Sequence, residues 1–220
     1  MLVYNDFYKI FKKLNLKKND NLIIHASLKK FGFILNGADD LIDPILNIIG
    51  KNGTLLCSSN TGNITDPKYW LNPKVSNYKK ARKYLKPFNI KTSLPHNRGL
   101  IANSFINYPK VHRSNHPLRS IMAKGKNAKY FTNNHKLHDP EGIDSPLYKL
   151  YQKKGHALLV GVDLSSCSAI HVAENLANVK YLYDSNCMVL SKNKNKFIKL
   201  KKISFAPYFN KLQKDLENLN

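Results

Sequence analysis

Over the first 60 residues, apolar positions alternate between helical and strand-like spacing. Residues 1–16 carry apolar side chains three and four positions apart, broken by lysines, which predicts an amphipathic helix capped by Asn5 or Asp6. The lysines also leave no uninterrupted apolar stretch of the kind that a signal peptide needs. The run LIIHA at 22–26 is typical of a buried strand that ends in a turn.

A second helix and a second strand follow. Residues 41–49 have apolar side chains at helical spacing, with Asp39 or Asp40 as the expected cap and Gly50 as the expected end. The GTLLCSS run at 53–59 predicts another strand. This β-α-β alternation predicts an α/β fold, in which a mixed central sheet is flanked by helices.

The middle of the chain, residues 60–96, is polar, rich in lysine and interrupted by prolines. Structureless loops of this length are unusual in compact domains, so we interpret the region as a long functional loop or lid. Residues 99–107 then return to a helical pattern.

The second half contains the clearest helix start and the clearest strand. Ser145-Pro146 predicts a helix with Ser as N-cap and Pro at the first position, ending at Gly155. The expected apolar face of this helix consists of Leu147, Leu150 and Tyr151. The HALLVGV run at 156–162 predicts a buried strand.

Behind that strand, Ser165 or Ser166 is the expected cap of a helix with two stripes. The polar stripe, with steps of four, three and four positions, consists of Cys167, His171, Glu174 and Asn178. The apolar stripe, expected to pack on the sheet, consists of Ile170, Ala173 and Ala177.

The C-terminal part predicts a hairpin and a closing helix. Strands at 188–191 and 197–205 are expected to turn on 192–196. The apolar residues of the closing helix are Tyr208, Leu212, Leu216 and Leu219. With no internal repeat and no low-complexity linker, residues 1–220 are predicted to form a single domain.

With 36 Lys and Arg residues against 14 Asp and Glu residues, the formal net charge is +22. Such a charge favours anionic partners, although lysine is spread over the whole chain. The three cysteines lack metal-ligand spacing and fit a reducing compartment, so we expect a cytoplasmic protein without a metal. No stretch approaches the length of a membrane span.

His171 and Glu174 are the first candidates for chemistry. Side chains three apart on a helix can touch, so the carboxylate can accept a ring N–H and hold the imidazole in one tautomer. The other ring nitrogen can then take a proton. Spacing alone also fits an ordinary surface or core histidine beside a solvated carboxylate.

Two further polar segments could contact a ligand. His25, Ser27 and Leu28 end the first strand, at the edge where α/β sheets usually bind ligands, and Lys29 follows as a counter-charge. The RSNHP segment at 113–117 brings a cation, a hydroxyl, an amide and an imidazole together in a loop before another strand. Each segment taken alone also has an ordinary structural explanation.

Taken in order, these segments resemble the aminoglycoside 3-N-acetyltransferase family, also called the antibiotic N-acetyltransferases. The resemblance covers about residues 22–174 and rests on HASL, the helix with GTLLCSS, Asp66-Pro67 and Trp70, RSNHP with Ser120 and Gly125, SPLYKL, LLVGV and HVAE. RSNHP and the HVAE that follows an apolar strand are its most specific parts.

The resemblance implies an α/β fold, acetyl-CoA as the donor and direct transfer to an amine in a ternary complex. It matches His171 to the catalytic base, Glu174 to the carboxylate beside it and Ser168 to a hydroxyl near the thioester. The residues that it implies for coenzyme binding are His25, Ser27, Leu28, Arg113, Ser114 and Ser120. Lys29 is added on charge alone, because CoA is polyanionic and a lysine at this position can receive one of its phosphates.

The chain also departs from that family. It continues 46 residues beyond Glu174, fewer than usual in a region that helps build the acceptor pocket, and Arg98-Gly99 replaces the usual Met-Gly. Aminoglycosides are polycations whose pocket needs several carboxylates, whereas this chain has 14 acidic residues in all. We therefore expect an anionic amino-sugar acceptor, for example a nucleotide-linked one. The alternative is an aminoglycoside, with antibiotic resistance as the function.

Two other interpretations stay open. Cys167 lies one helical turn before His171 and could act as a nucleophile in a Cys-His-Glu set, with a covalent acyl-enzyme. The basic charge with interleaved aromatic residues also suits a nucleic-acid-binding domain, although no recognised module is present and nucleic acid is the less expected partner. The sequence leaves the formation of an oligomer open.

Overall fold

The protein folds around a five-stranded mixed sheet. The computed structural model describes residues 1–70, 74–179, 182–204 and 209–218. The strands are β1 (Asn21–Ala26), β2 (Thr54–Ser58), β3 (His112–Arg113), β4 (Ile121–Gly125), β5 (His156–Val160), β6 (Leu182–Ser191) and β7 (Lys194–Ser204). The α-helices are α1 (Tyr4–Lys13), α2 (Asp39–Ile49), α3 (Tyr78–Tyr84), α4 (Gly99–Phe105), α5 (Ala128–Thr132), α6 (Pro146–Gln152), α7 (Ile170–Leu176) and α8 (Phe209–Glu217).

The order of strands in the main sheet is β3-β4-β2-β1-β5. Strand β1 is parallel to both neighbours, so that Ile24 pairs with Cys57 on one side and with Leu158 on the other. Strand β4 runs antiparallel to β2, and β3 antiparallel to β4. Because β1, β2 and β5 are parallel, their carboxyl ends meet at one edge of the sheet, where α/β proteins usually bind ligands.

Apolar helices cover both faces of this sheet. On one face Leu22 and Ile24 pack in a cluster with residues of α1, α2 and α4. On the other face Ile23 packs with residues of α5, α6 and α7, because successive side chains of a strand point to opposite faces. The prediction of an α/β fold with a mixed central sheet flanked by helices is confirmed, whereas the domain limits 1–220 stay a prediction.

The predicted caps of the first two helices are wrong. The N-cap of α1 is Val3, whose backbone N–H donates to the Asp6 carboxylate at 3.0 Å. The N-cap of α2 is Ala38, and the buried Asp40 accepts from the backbone N–H of Asn36 at 2.9 Å. Both aspartates lie inside the first turn of their helix, and each carboxylate accepts a backbone N–H from a residue that precedes the helix. This hydrogen bond stabilises the N-terminal end of the helix in place of an N-cap side chain.

The region 60–96 is packed and partly helical, not irregular. It contains two turns of 3₁₀-helix, Gly62–Ile64 and Pro67–Tyr69, in addition to α3. Ile64 is buried within it. Residues 71–73, which include one of the four prolines, lie outside the described residues. The function of the region as a lid stays a prediction.

The buried strand predicted at 156–162 is present as β5 (His156–Val160), but only part of it is buried. Strand β5 pairs within the described residues with β1 alone, and His156 and Ala157 are exposed. The Ser145 cap of the preceding helix is confirmed, since its hydroxyl accepts from the backbone N–H of Tyr148 at 3.0 Å. Tyr151 does not join the apolar face, because it is 60% exposed.

The helix that carries the candidate chemistry is shorter than predicted. Ser165 and Ser166 belong to a 3₁₀ turn (Leu164–Ser166) capped by the Asp163 carboxylate, and α7 begins only at Ile170. Cys167 and Asn178 therefore lie outside this helix. The residue of α7 that packs against the sheet is Val172; the alanines at 173 and 177 are exposed.

The hairpin and the closing helix are present, but the predicted bounds of the hairpin are wrong: the turn consists of residues 192–193 instead of 192–196, and the first strand begins at Leu182 instead of 188. Strands β6 and β7 pair over their length in a separate two-stranded sheet, and the turn residues Lys192 and Asn193 both have positive φ, as two-residue hairpin turns often require. The predicted Phe205 and the helix residues Tyr208 and Leu219 lie outside the described residues. In the described part of the chain, no helix has the length and apolar character needed to cross a bilayer.

Candidate active site

His171 and Glu174 form a hydrogen-bonded pair on α7. The Nδ1 atom of His171 lies 2.7 Å from Oε2 of Glu174, and His171 is only 7% exposed. The neighbouring Val172 anchors the helix in the core, and the side chain of Asn175 donates to the backbone oxygen of His171 at 3.0 Å. The pair is therefore held in place by the helix itself and by the core.

The geometry selects the tautomer of His171. A carboxylate only accepts hydrogen bonds, so Nδ1 carries the proton and Nε2 has the lone pair in the neutral ring. Burial lowers the pKa of His171 below its ordinary value, while the hydrogen bond and the charge of Glu174 act in the opposite direction. The imidazole is thus neutral at neutral pH and oriented to accept a proton.

A side chain from the C-terminal helix lies over the imidazole. The ring centroids of His171 and Phe209 are 4.9 Å apart, with 49° between the ring planes. Phe209 is buried and lines the same cavity as His171. This apolar contact keeps water away from one side of the ring and contributes to its burial.

A cavity of about 590 Å³ lies at the carboxyl edge of the sheet, next to the pair. The predicted site residues that line it are His25, Ser27, Leu28, Lys29, Ser168 and His171. Within this set, Ser168 Oγ lies 3.3 Å from Nε2 of His25. Burial, and then the charge of Arg98, lower the pKa of His25 to about 4, so this second imidazole is also neutral. The structure brings these residues together, and their individual roles stay predictions.

Arg113, Ser114 and Ser120 line neither this cavity nor the second one described below. The Arg113 guanidinium donates to Ser120 Oγ at 3.0 Å and to the backbone oxygen of Ser59 at 2.7 Å. Ser114 and Ser120 are both 0% exposed. The two serines therefore offer no surface to a coenzyme, whereas Arg113 is half-buried; the hydrogen bonds of the three residues fix the end of β2 against β4.

The histidine of the RSNHP segment also has a structural role. The Nδ1 atom of His116 accepts the backbone N–H groups of Leu118 and Arg119 at 3.1 and 2.8 Å. Next to it, His135 accepts from the Ser114 hydroxyl at 2.8 Å and donates from Nε2 to the backbone oxygen of Pro140 at 2.7 Å. The motif therefore builds the wall behind the site instead of facing it.

A second cavity of about 930 Å³ lies between the 60–70 segment and the hairpin. The residues that line both cavities are Asn60, Asn97, Arg98 and Arg119. Analysis of the sequence missed Arg119, Glu141 and Phe209 as parts of the site, because nothing in their local pattern distinguishes them. Arg98 did carry a signal, since it stands where the similar family usually has methionine.

Cys167 is not arranged as a nucleophile. It lines neither cavity, and burial raises the pKa of its thiol, whereas a nucleophilic cysteine needs a lowered pKa. Among the described residues, no group of His, Cys, Asp and Glu side chains could hold a metal ion.

The relatives that the chain matches are acyl-CoA-dependent N-acyltransferases, and the chain belongs to the same class of enzymes. Residues 23–219 match the family model of aminoglycoside 3-N-acetyltransferases. The chain is therefore a member of the aminoglycoside 3-N-acetyltransferase family.

Individual relatives agree with this result. The chain is 31% identical over 197 residues to the SPbeta prophage-derived aminoglycoside N(3')-acetyltransferase-like protein YokD of Bacillus subtilis (strain 168), covering 88% of this chain and 72% of the relative. The crystal structure of YokD matches 99% of this chain and 88% of that chain with a TM-score of 0.91 and 28% identity.

Two more distant matches complete the comparison. Aminoglycoside N(3)-acetyltransferase III of Pseudomonas aeruginosa is 29% identical over 78% of this chain, which spans 63% of that enzyme's length. The structure of AAC-IIIb in a binary complex with CoASH has the same fold, with a TM-score of 0.84 and 21% identity over 99% of this chain and 85% of that chain.

Proposed function

We propose that the protein transfers the acetyl group of acetyl-CoA to an amino group of an amino sugar, in one direct step with His171 as the general base. The observation that carries this proposal is the His171–Glu174 pair beside a cavity that is also lined by the 25–29 segment. Family membership supports the donor, since AAC-IIIb is described in complex with CoASH. A cytoplasmic location, where acetyl-CoA is available, fits this activity.

The proton transfer follows from the tautomer of His171. An acceptor amine attacks a thioester only in its neutral form, so the ammonium first releases one proton to solvent. Nε2 then takes a second proton as the nitrogen bonds to the carbonyl carbon. The tetrahedral oxyanion then collapses, the carbon–sulfur bond breaks, and the thiolate recovers the proton from the imidazolium. The Glu174 carboxylate stabilises the imidazolium between these steps, and the Ser168 hydroxyl is placed to donate to the oxyanion or the thiolate.

The 25–29 segment is the part of the site proposed to hold the coenzyme. His25, Ser27 and Leu28 lie at the end of β1, and Lys29 supplies a positive charge for a phosphate group. Arg113, Ser114 and Ser120 are proposed to act on the coenzyme only indirectly, because their hydrogen bonds are internal and fix the neighbouring wall.

The proposed acceptor is an amino sugar that carries negative charge, such as a nucleotide-linked one. Arg98 and Arg119 line both cavities, and lysines 29 and 199 add further positive charge. The second candidate is an aminoglycoside, and the observation that favours it is the name of relatives such as the enzyme from Pseudomonas aeruginosa. In the described part of the chain, no structural feature favours nucleic acid as the partner.

Replacement of His171 tests the catalytic step. His171→Ala should lower kcat/KM by about 100- to 10,000-fold, the usual contribution of a general base. Glu174→Gln should also lower the rate, and it should move the acidic limb of the pH profile to lower pH, because Glu174 raises the pKa of the base. His156→Ala, on the exposed edge strand, is the matched control. Full transfer by the His171→Ala protein overturns the proposal.

The acceptor is tested by direct comparison of turnover. A nucleotide-linked amino sugar and an aminoglycoside are offered separately with acetyl-CoA at fixed ionic strength. We expect the larger kcat/KM for the nucleotide-linked sugar, because its charge is opposite to that of the arginines. Faster acetylation of the aminoglycoside excludes the anionic acceptor and leaves the second candidate.

A further inference from the structure

The two cavities meet at a junction formed by four residues. They are Asn60, Asn97, Arg98 and Arg119. Each cavity is large enough for part of a ligand, with volumes of about 590 and 930 Å³. A ligand that extends from the His171–Glu174 pair into the second cavity must therefore pass two guanidinium groups.

Carboxylates of the described walls offset one of these two cations, Arg119, which pairs with Glu141, but form no ion pair with Arg98. Of the described residues that line the two cavities, the acidic ones are Asp66, Glu141 and Asp184. Each lies within ion-pair distance of a basic side chain: Asp66 with Arg82, Glu141 with Arg119, and Asp184 with Lys199. The pair of Asp184 is exposed and weak, whereas Asp66 and Glu141 are buried. Along the described part of these walls, a polycationic ligand therefore meets only carboxylates that are already paired with a basic side chain.

Arg98 is the cation that this arrangement leaves without a compensating charge. No ion pair to Arg98 is found among the described residues. The charge with the largest effect on the pKa of Arg98 is the like charge of Arg119. Arg98 is exposed as a residue, so its side chain is accessible to a ligand; desolvation of its guanidinium, and then the like charge of Arg119, lower its pKa. Two like charges that line the same junction repel each other, and an anion bound between them reduces this repulsion.

We propose that Arg98 and Arg119 form a subsite that binds an anionic group of the acceptor, a phosphate or diphosphate, at the junction of the two cavities. This inference rests on the proposed function, because it names the part of the amino-sugar substrate that these residues recognise. The coenzyme is assigned to the 25–29 segment, so the junction is left for the acceptor.

The second cavity suits the remainder of such an acceptor. Its lining includes the aromatic side chains of Tyr69, Trp70 and Tyr183. The indole N–H of Trp70 donates to Thr65 Oγ1 at 2.9 Å, which fixes the ring at the wall. Aromatic faces of this kind stack on a base or a sugar ring. The amine then lies at His171, the diphosphate at the arginines and the base over the aromatic side chains.

Arg119 also affects the selection between anionic and cationic acceptors through its ion pair with Glu141. Its Nε lies 3.3 Å from the Glu141 carboxylate, which is buried in the wall of the first cavity. While this ion pair is intact, Glu141 is not available to an ammonium group of a substrate. The same arginine therefore attracts an anionic acceptor and withholds a carboxylate from a cationic one.

Binding of inorganic pyrophosphate tests the subsite without any knowledge of the acceptor. Titration calorimetry at fixed ionic strength should show binding to the wild-type protein, weakened about tenfold or more by Arg98→Met, because a hydrogen bond to a charged group is lost. Arg119→Met leaves the buried Glu141 without its partner, so it is combined with Glu141→Gln and should show the same loss. Lys51→Met, which removes an exposed positive charge in the turn after α2, is the control and should bind as wild type does.

A second titration, with the protein saturated with CoA, separates the two sources of phosphate. Persistence of pyrophosphate binding supports the acceptor subsite. Loss of binding overturns it, because the arginines then hold the phosphates of the coenzyme. No binding to the wild-type protein, or binding that neither arginine variant weakens, also overturns the inference.

The outcome of the pyrophosphate titrations can be distinguished from the outcome of a test of the proposed function. Transfer from acetyl-CoA to amino sugars is measured separately on the same proteins. If pyrophosphate binds as expected but no amine is acetylated, the proposed function fails and the anion site stands. If amines are acetylated but pyrophosphate does not bind, the subsite fails alone.

Discussion

His171 lies between two neighbours with opposite effects on its pKa. Glu174 accepts its Nδ1–H and favours the protonated ring, whereas burial disfavours the charge. Phe209 is part of this burial, since its ring covers the imidazole at 4.9 Å. The state of the base thus depends on a carboxylate from its own helix and on an apolar ring from the last helix.

Replacing Phe209 by Ala should raise the pKa of His171, because water then reaches the imidazole and the burial that lowers its pKa is reduced. A base works only when it is unprotonated. The acidic limb of the kcat/KM profile should therefore move to higher pH, opposite to the shift expected for Glu174→Gln. Measurement of kcat/KM between pH 5 and 9 gives this limb directly.

Phe209→Leu is the matched variant, since it keeps an apolar side chain over the ring and should shift the limb less. Circular dichroism checks that both variants keep the fold, because a buried Phe→Ala change costs about 3–5 kcal/mol. A limb that stays in place, or moves to lower pH, in a folded Phe209→Ala protein contradicts the assignment.

For individual residues, the sequence predicted which side chains could take part in chemistry better than it predicted where they lie in the fold. The spacing of His171 and Glu174 indicated that the two side chains could touch, as they do, but spacing alone also fitted an ordinary histidine beside a solvated carboxylate. Arg119 and Glu141 could not be paired in this way, since chain folding alone brings them together. The RSNHP segment was assigned to ligand contact, but polar residues in a loop also serve to hold the loop, and nothing local distinguishes the two uses.

The first residues of the helices were also predicted correctly in some cases and wrongly in others. Ser145-Pro146 was identified correctly, because a serine followed by proline is specific for the first turn. Asp6 and Asp40 were placed at caps although both lie inside their helices, since an aspartate bonds equally well to N–H groups ahead of it or behind it. The apolar run of β5 was taken as buried because an edge strand and a central strand can have the same composition.

The Ser145 cap has a measurable energetic effect. Its hydroxyl accepts from the Tyr148 N–H, and the residue is 1% exposed, so Ser145→Ala leaves a buried donor without its partner. We expect the free energy of unfolding to fall by about 1 kcal/mol, within a range of roughly 0.5–2 kcal/mol, in urea titrations. Ser166→Ala, at a position expected from sequence to be a cap but lying in an exposed turn, should change it by less than about 0.5 kcal/mol. Equal losses for the two variants contradict the revised start of α7.

Across the whole molecule, one buried histidine, His116, and two half-buried ones, His25 and His135, connect the stability of the fold to pH. His25 lies at the end of β1, while His116 and His135 pack against each other behind the RSNHP loop with 4.8 Å between ring centroids. Burial is the largest cause that lowers their pKa values, to about 4 for His25, about 3 for His116 and about 4 for His135. All three rings are therefore neutral in the folded protein at neutral pH, and for His116 this agrees with an Nδ1 atom that accepts two backbone N–H groups.

Stability should therefore decrease as the pH falls from about 6.5 towards 4. In the unfolded chain a histidine titrates near its ordinary value of about 6.5, so below this pH the unfolded state binds protons that the folded state does not. Each of the three residues contributes a slope of about 1.4 kcal/mol per pH unit within this window, and the loss ends when the folded protein also becomes protonated. Above pH 6.5 their contribution is complete.

Urea titrations at pH 7.5, 6.5, 5.5 and 4.5 measure this slope, and calorimetry in buffers of different ionisation enthalpy gives the proton uptake on unfolding. Near pH 5.5 we expect an uptake of about three protons from these histidines. Asp66 does not account for such a loss, because its ion pair with Arg82 lowers the pKa of its carboxyl below the ordinary value and places its effect at more acidic pH. A free energy of unfolding that stays constant between pH 6.5 and 5 means that the three imidazoles are accessible to protons in the folded state. In that case the walls of the site are not the closed, neutral packing that holds His171 beside its cavity.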